Sequence, residues 1–181
     1  MRFGRIYLWI VFGLVASGCA SLGTRGKASD PPSAVKIVAS DLKSQFKASI
    51  AAQSGKLPGR LGMMNIINGD GSKSRLGAIL ADRLTKELFE PGVFLLLERD
   101  RLNRVIGEQT FQESGLVLSD QTASIGRLAG AEYLLLGQIV FEDQDFLLSL
   151  RIVSLSGVIF AAAEVRFDSD DDTYSQFRSS I

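Results

Sequence analysis

The chain has no histidine among its 181 residues. That absence removes Ser-His-Asp and Cys-His nucleophilic catalysis, imidazole metal sites, and the one side chain whose unshifted pKa lies near neutrality. Neither sign of charge is in excess, since 20 Lys and Arg face 20 Asp and Glu. Nucleic-acid binding needs a dense basic surface that displaces counterions from phosphate, and no basic cluster occurs along the chain. There is one cysteine, Cys19, and one tryptophan, Trp9. An enzyme made from what remains is limited to carboxylate-only or Ser/Lys chemistry.

The lone cysteine ends the run Leu14-Val15-Ala16-Ser17-Gly18-Cys19. Arg2 and Arg5 form a charged n-region, Ile6 to Val15 an apolar h-region, and Ala16-Ser17-Gly18 the small residues that precede a signal-peptidase cut. The apolar run is shorter than the about 20 residues that span a bilayer, which favours cleavage over a retained span. The segment resembles a bacterial lipobox, [LVI]-[AST]-[GA]-Cys, at Ser17, Gly18 and Cys19, with Ala16 where Leu is usual. The resemblance implies that residues 1–18 are a signal peptide and that Cys19 is the lipid-attachment residue, carrying a diacylglycerol with a further acyl chain such as palmitate on the new amino terminus. Two or three acyl chains make a durable anchor, at about 0.8 kcal/mol per buried methylene. The thiol is then spent, so zinc thiolate sites are excluded, and Trp9 leaves with the signal. Ala20, instead of an inner-membrane-retaining Asp, implies outer-membrane sorting with the protein facing the periplasm. After cleavage 18 basic groups face 20 acidic ones, in a chain of single-domain size.

Residues 19–32 read as the lipidated amino terminus and a flexible tether, 33–167 as one α/β domain, and 168–181 as a polar, acidic, frayed tail. The run Ala20 to Ser33 is small, polar and ends in Pro31-Pro32, and fully extended it reaches about 45 to 50 Å. From Ser33 as N-cap, Val35, Val38, Leu42, Phe46 and Ile50 recur at helical spacing, the mark of an amphipathic helix packed on a sheet. A strand at Leu61 to Ile67, the turn Asn68-Gly69-Asp70-Gly71 and a helix from about Ser74 to Glu90 follow. Val93 to Leu97 is an unbroken apolar run, which predicts a central parallel strand buried on both faces. Asp100 can cap a helix carrying Leu102, Val105 and Ile106, and a second short helix from about Ser119 to Ala129 ends at Gly130. Three strands near Glu132 to Phe141, Phe146 to Ser154 and Val158 to Phe167 then form an antiparallel meander. The predicted fold is α/β (α+β): an amino-terminal helix, then β-α-β-α-α-β-β-β, in a mixed, roughly five-stranded sheet with flanking helices.

No motif supplies a catalytic, cofactor or metal site. Gly69-Asp70-Gly71-Ser72-Lys73-Ser74 stands where phosphate loops occur but has neither the P-loop spacing nor G-x-G-x-x-G, so it reads as an exposed turn. Asp168, Asp170 and Asp172 alternate as in a calcium loop, but Thr173 replaces the turn glycine and Ser179 the bidentate glutamate. Glu98-Arg99-Asp100-Arg101 follows a strand, where α/β sites often sit, and its alternating signs read as ion pairing. Among carboxylates, Glu98, Asp100 and Glu108 are those most open to a catalytic reading.

Five segments carry a resemblance: Arg60 to Ile66, Leu76 to Leu84, Val93 to Leu97 with Glu98-Arg99 and a helix reaching Ile106 to Gln109, Gly130-Ala131-Glu132-Tyr133-Leu134-Leu135-Leu136-Gly137, and Leu150 to Ile159. Together they resemble the FlgO and CsgG group of envelope lipoproteins, which includes the penicillin-binding-protein activator LpoB and is related in fold to the amino-terminal domain of TolB. The resemblance covers about Gly59 to Phe167. It implies an assembly or binding module and no enzyme, with outer-membrane lipid, held through Cys19, and envelope or flagellar proteins as partners. Self-association is left open. The short turns leave no segment for the transmembrane hairpins of a curli-type channel. The short tether fits an FlgO-like protein better than a synthase activator reaching across the periplasm. A small carboxylate-dependent wall hydrolase is the alternative from another class.

Overall fold

The computed structural model describes residues 27–53, 55–97 and 130–181. Along them run α1 (Pro31–Ala52), β1 (Gly59–Asn68), α2 (Arg75–Leu88), β2 (Phe94–Leu96), β3 (Tyr133–Glu142), β4 (Asp145–Ser154), β5 (Ile159–Asp168) and α3 (Asp171–Arg178). The sheet order is β2-β1-β3-β4-β5, with β1 parallel to β2 and β3, and with β3, β4 and β5 antiparallel in turn. This is the α+β arrangement that the sequence predicts. The two helices expected near 100–106 and 119–129 lie outside the described residues.

Helix α1 starts earlier than the sequence reading has it. Asp30, not Ser33, is the N-cap, accepting the Ser33 N–H at 2.7 Å. Pro31 and Pro32, read as the end of the tether, occupy the first turn, where their missing N–H groups cost nothing. Val35, Val38, Leu42, Phe46 and Ile50 are buried, as the periodicity requires. Helix α2 is capped by Ser74 and packs backbone to backbone on β1 at Gly77, where a Cβ atom would lie 2.2 Å from the Ile66 carbonyl oxygen. The tight turn between β3 and β4 places Asp143 and Gln144 in the left-handed region, at φ 52° and 65°, matching the twist of the hairpin it joins.

Strand β2 corrects another expectation. It is the sheet's edge, three residues long, with Phe94 buried and Leu95 47% exposed, so the Val93–Leu97 run is not central. The two-sided burial belongs to β3, where Leu134, Leu135 and Leu136 are all buried. The tail after Phe167 is likewise no frayed end, since α3 forms there and packs against α2.

The main core lies between α1, α2 and one face of the sheet, around Phe46, Leu42, Leu84, Phe94, Leu135 and Leu148. A smaller cluster of Met64, Ala131, Leu134, Leu136 and Val153 occupies the opposite face. Bulges sort residues between the two. One on β1 falls between Met63 and Ile66 and sends Met64 to the small cluster and Ile66 to the main core. One on β5 turns Phe160 toward Phe46 and Tyr133.

Candidate interaction surface

Those of the residues singled out by sequence that are described do not converge on a reaction centre. Cys19, Glu98, Asp100 and Glu108 lie outside the described residues. Gly69 to Ser74 is a turn: Asp70 accepts the Ser72 N–H at 2.9 Å, and Gly71 has φ 84°. Ser74 is buried, accepts the Gly77 N–H at 3.2 Å and donates to Asn68 Oδ1 at 2.8 Å. The three alternating aspartates go separate ways. Asp168 pairs with Lys27, Asp170 caps α3 by accepting the Thr173 N–H at 2.7 Å, and Asp172 accepts from Gln176 at 2.7 Å. That hydrogen bond from the Thr173 backbone holds the Asp170 carboxyl below its ordinary pKa.

The free edge of β5 is covered by the protein itself. The Gln45 amide pairs with Ala162 as a neighbouring strand would, donating to its carbonyl at 2.8 Å and accepting its N–H at 3.1 Å. Ser49 donates to the Phe160 carbonyl, and Ala28 exchanges hydrogen bonds with Arg166 and Asp168. Strand addition is therefore blocked along much of this edge. A groove of about 440 Å³ runs between α1 and α2 over Val35 and Ile79, but Lys36, Asp82, Arg83, Lys86 and Glu87 ring it with mixed charge, which selects no ligand of one sign.

The two ends of the sheet differ most. At the proximal end, where the described chain enters, β1, β3 and β5 finish and α1 and α2 begin. Lys27 bridges Asp145 (2.7 Å) and Asp168, and these hydrogen bonds hold its ammonium above the ordinary lysine pKa. Phe141, Phe146, Phe167, Tyr174 and Phe177 pack there ring against ring, with α3 as the lid. Asn68 donates to Ser72, and the Arg75 N–H donates to the Ser179 carbonyl, so the start of α2 is tied to α3.

At the distal end β1, β2, β3 and β5 begin. Phe46 lies 4.7 Å from Phe94 and 4.9 Å from Tyr133, and Tyr133 lies 4.9 Å from Phe160. Gly59 gives these rings room, since a Cβ there would come within 2.9 Å of both Phe46 and Tyr133. Burial raises the Tyr133 pKa, with Glu132 adding to the shift. Outside this cluster no helix among the described residues covers the sheet end. Leu57, Phe89, Leu95, Val158 and Ile159 are between 41% and 67% exposed and line one end of the sheet from β2 to β5. Scattered single hydrophobes need no explanation, but five at one end of the sheet, three beside β1 and β2 and two at the start of β5, do. Its charged border is largely engaged: Glu90 binds Lys47 (2.8 Å) and Lys43 (3.2 Å), and Arg60 pairs with Glu132 at 3.4 Å. Lys47 and then Lys43 hold the Glu90 carboxyl below its ordinary pKa. Sequence reading missed this surface because its members come from four separate segments. The only linear signal was Val158-Ile159 directly after a turn.

Comparison with known proteins agrees with the topology. A family profile described as "Curli production assembly/transport component CsgG" matches residues 31–145, over half of the chain. Among solved structures, the chain is similar to the LpoB C-terminal domain from Salmonella enterica, at 16% identity and TM-score 0.53, covering 72% of this chain and 97% of that one. It is also similar to LpoB from Escherichia coli solved by NMR, at 16% identity and TM-score 0.57, covering 92% of this chain and 81% of that one. At these identities the likeness is one of fold. A search of curated proteins returns no match.

Proposed function

The chain belongs to the CsgG family of curli production assembly/transport components, and from that premise we propose that it is a noncatalytic lipoprotein of the bacterial envelope that works by binding other envelope proteins. The observation that carries this reading is the set of exposed apolar side chains at the distal end, bordered by charges that, Lys56 apart, are paired with one another among the described residues. Such a surface gains free energy by leaving water, and its described carboxylates, Glu90 and Glu132, are each held in ion pairs.

In this reading Cys19 is acylated after removal of residues 1–18, and the protein sits at the outer membrane facing the periplasm. Its role is FlgO-like, in flagellar or envelope assembly. The two-residue β3–β4 turn, too short to hold a transmembrane hairpin, speaks against a curli-type channel at that position. The fold shared with LpoB favours a second reading, a peptidoglycan-synthase activator.

Cys19→Ser tests the anchor. Labelling with a fatty-acid analogue should mark the wild type alone, and the variant should leave the membrane fraction or remain unprocessed; equal label in both would defeat the reading. Crosslinking in cells separates the two roles, by capture of flagellar basal-body proteins or of a peptidoglycan synthase. Degradation of isolated peptidoglycan by the purified protein, stopped by one carboxylate substitution that leaves the melting temperature intact, would replace binding with hydrolysis.

A further inference from the structure

We propose that the distal end is the docking face for a protein held away from the membrane that carries this chain, and that this protein presents an apolar strip bordered by carboxylates. The proposal rests on the Cys19 anchor and deepens the binding reading above. Its first support is where the tether ends. The sequence implies a free run up to Ser33, but Lys27 bridges Asp145 and Asp168, Ala28 hydrogen-bonds Arg166 and Asp168, and Asp30 caps α1. Only Ala20 to Gly26 is left between the anchor and the clamp. The eight residue steps from Cys19 to Lys27 reach at most about 29 Å.

That reach decides what can sit on the apolar row. The 10-residue strands β1, β3 and β5 separate the two ends by about 33 Å. To seat Leu57, Phe89, Leu95, Val158 and Ile159 on its own bilayer the domain would have to invert, lifting Lys27 about 33 Å above the surface, beyond what the tether spans. Two copies on one membrane, both held by the proximal end, cannot bring their distal ends face to face for the same reason. The occupant is a different protein.

Charge gives its chemistry. Around the row stand Lys43, Lys47, Lys56 and Arg60 against Glu90 and Glu132. Both glutamates are held by cations of this chain, while Lys56, beside the exposed Leu57, has no ion pair among the described residues. The proximal end is of mixed charge: Glu142, Asp143, Asp145, Asp168, Asp170, Asp171 and Asp172 gather there beside Lys27, Lys73, Arg75, Arg166 and Arg178, with Lys27 paired to Asp145 and Asp168 and Arg166 to Glu142. The distal end is turned outward and takes a carboxylate beside its apolar side chains.

The test places a photo-crosslinking residue in the full chain, in cells, at Leu57, Phe89 or Val158, with Ser40 on α1 and Tyr174 on α3 as controls. The expected result is an adduct with one other protein from the distal positions only. Lys56→Glu should weaken it about tenfold, and a carboxylate-to-lysine change on the adducted protein should restore it. Val158→Glu should abolish the adduct while leaving the melting temperature within about 2 °C of wild type. Adducts with lipid, with a second copy of this chain, from the control positions alone, or from none would overturn the proposal. Fatty-acid labelling at Cys19 is read separately: unlabelled protein that still gives the distal adduct would defeat the anchor and its geometry while leaving the binding surface standing.

Discussion

At the proximal end Phe141, Phe146 and Phe167 lie under Tyr174 and Phe177 of α3, and the polar groups of the β1–α2 turn are tied into that helix. At the distal end Phe46, Phe94, Tyr133 and Phe160 form a cluster of similar size, but the apolar side chains beyond it face water. Both ends solve the same packing problem, closing a five-stranded sheet where its strands stop. The contrast teaches that aromatic content alone does not mark a binding surface. What marks it is the absence of a covering element among the described residues over side chains that water disfavours.

The largest effect should come from the distal core. Phe46 is fully buried and meets three aromatic rings, so Phe46→Ala should cost about 4 kcal/mol. At about 2 to 4 °C per kcal/mol that lowers the melting temperature by roughly 10 °C, measured by circular dichroism. A loss under about 2 °C would mean that the distal cluster is peripheral to the fold.

Phe177→Ala strikes the lid of the proximal end. Its ring is only partly buried against Phe141 and Phe146, so the loss should be smaller, about 2 kcal/mol. Hydrogen exchange should show α3 opening first, before the sheet. Protection lost equally at both ends would break the comparison.

Acid should act most gently. The Asp30 and Asp170 carboxylates cap α1 and α3 at the proximal end, and the N–H groups they accept hold both pKa values low. A lowered folded pKa gives stability that is fully present above the unfolded carboxyl value of about 3.9 and is lost as pH falls through the folded value. The melting temperature should therefore hold from neutrality to about pH 4 and decline below it. Asp30→Asn with Asp170→Asn should flatten that decline, because asparagine caps a helix as well and does not titrate. An unchanged decline would assign acid sensitivity to other carboxylates, Glu90 at the distal end among them.

Local patterns were legible wherever one segment decided its own structure. The stripe Val35, Val38, Leu42, Phe46 and Ile50 encodes α1, Ser74 encodes the start of α2, and the turn residues Glu142 to Asp145 and Leu155 to Gly157 between apolar runs encode the meander. The signal for α3 was also present and misread. Asp170 with Asp171 and Asp172 is a helix start, and Tyr174 with Phe177 an i, i+3 pair, but the run of acidic and polar residues reads as a solvated, frayed tail instead. The Val93–Leu97 run could not say that β2 is an edge, because an apolar run reads the same whether one neighbour covers it or two.

The sequence by itself determined the elements, their order, the missing imidazole chemistry and the family, since each depends on residues close together in the chain or on composition. Tertiary structure alone decided where the tether stops, through ion pairs from Lys27 to residues more than 100 positions away, and which hydrophobes stay in water. Leu57, Phe89, Leu95 and Ile159 differ in nothing local from their buried neighbours. They form one surface because parallel strands β1 and β2 and the returning strand β5 all begin at the same end of the sheet, a consequence of chain crossing that no single segment encodes.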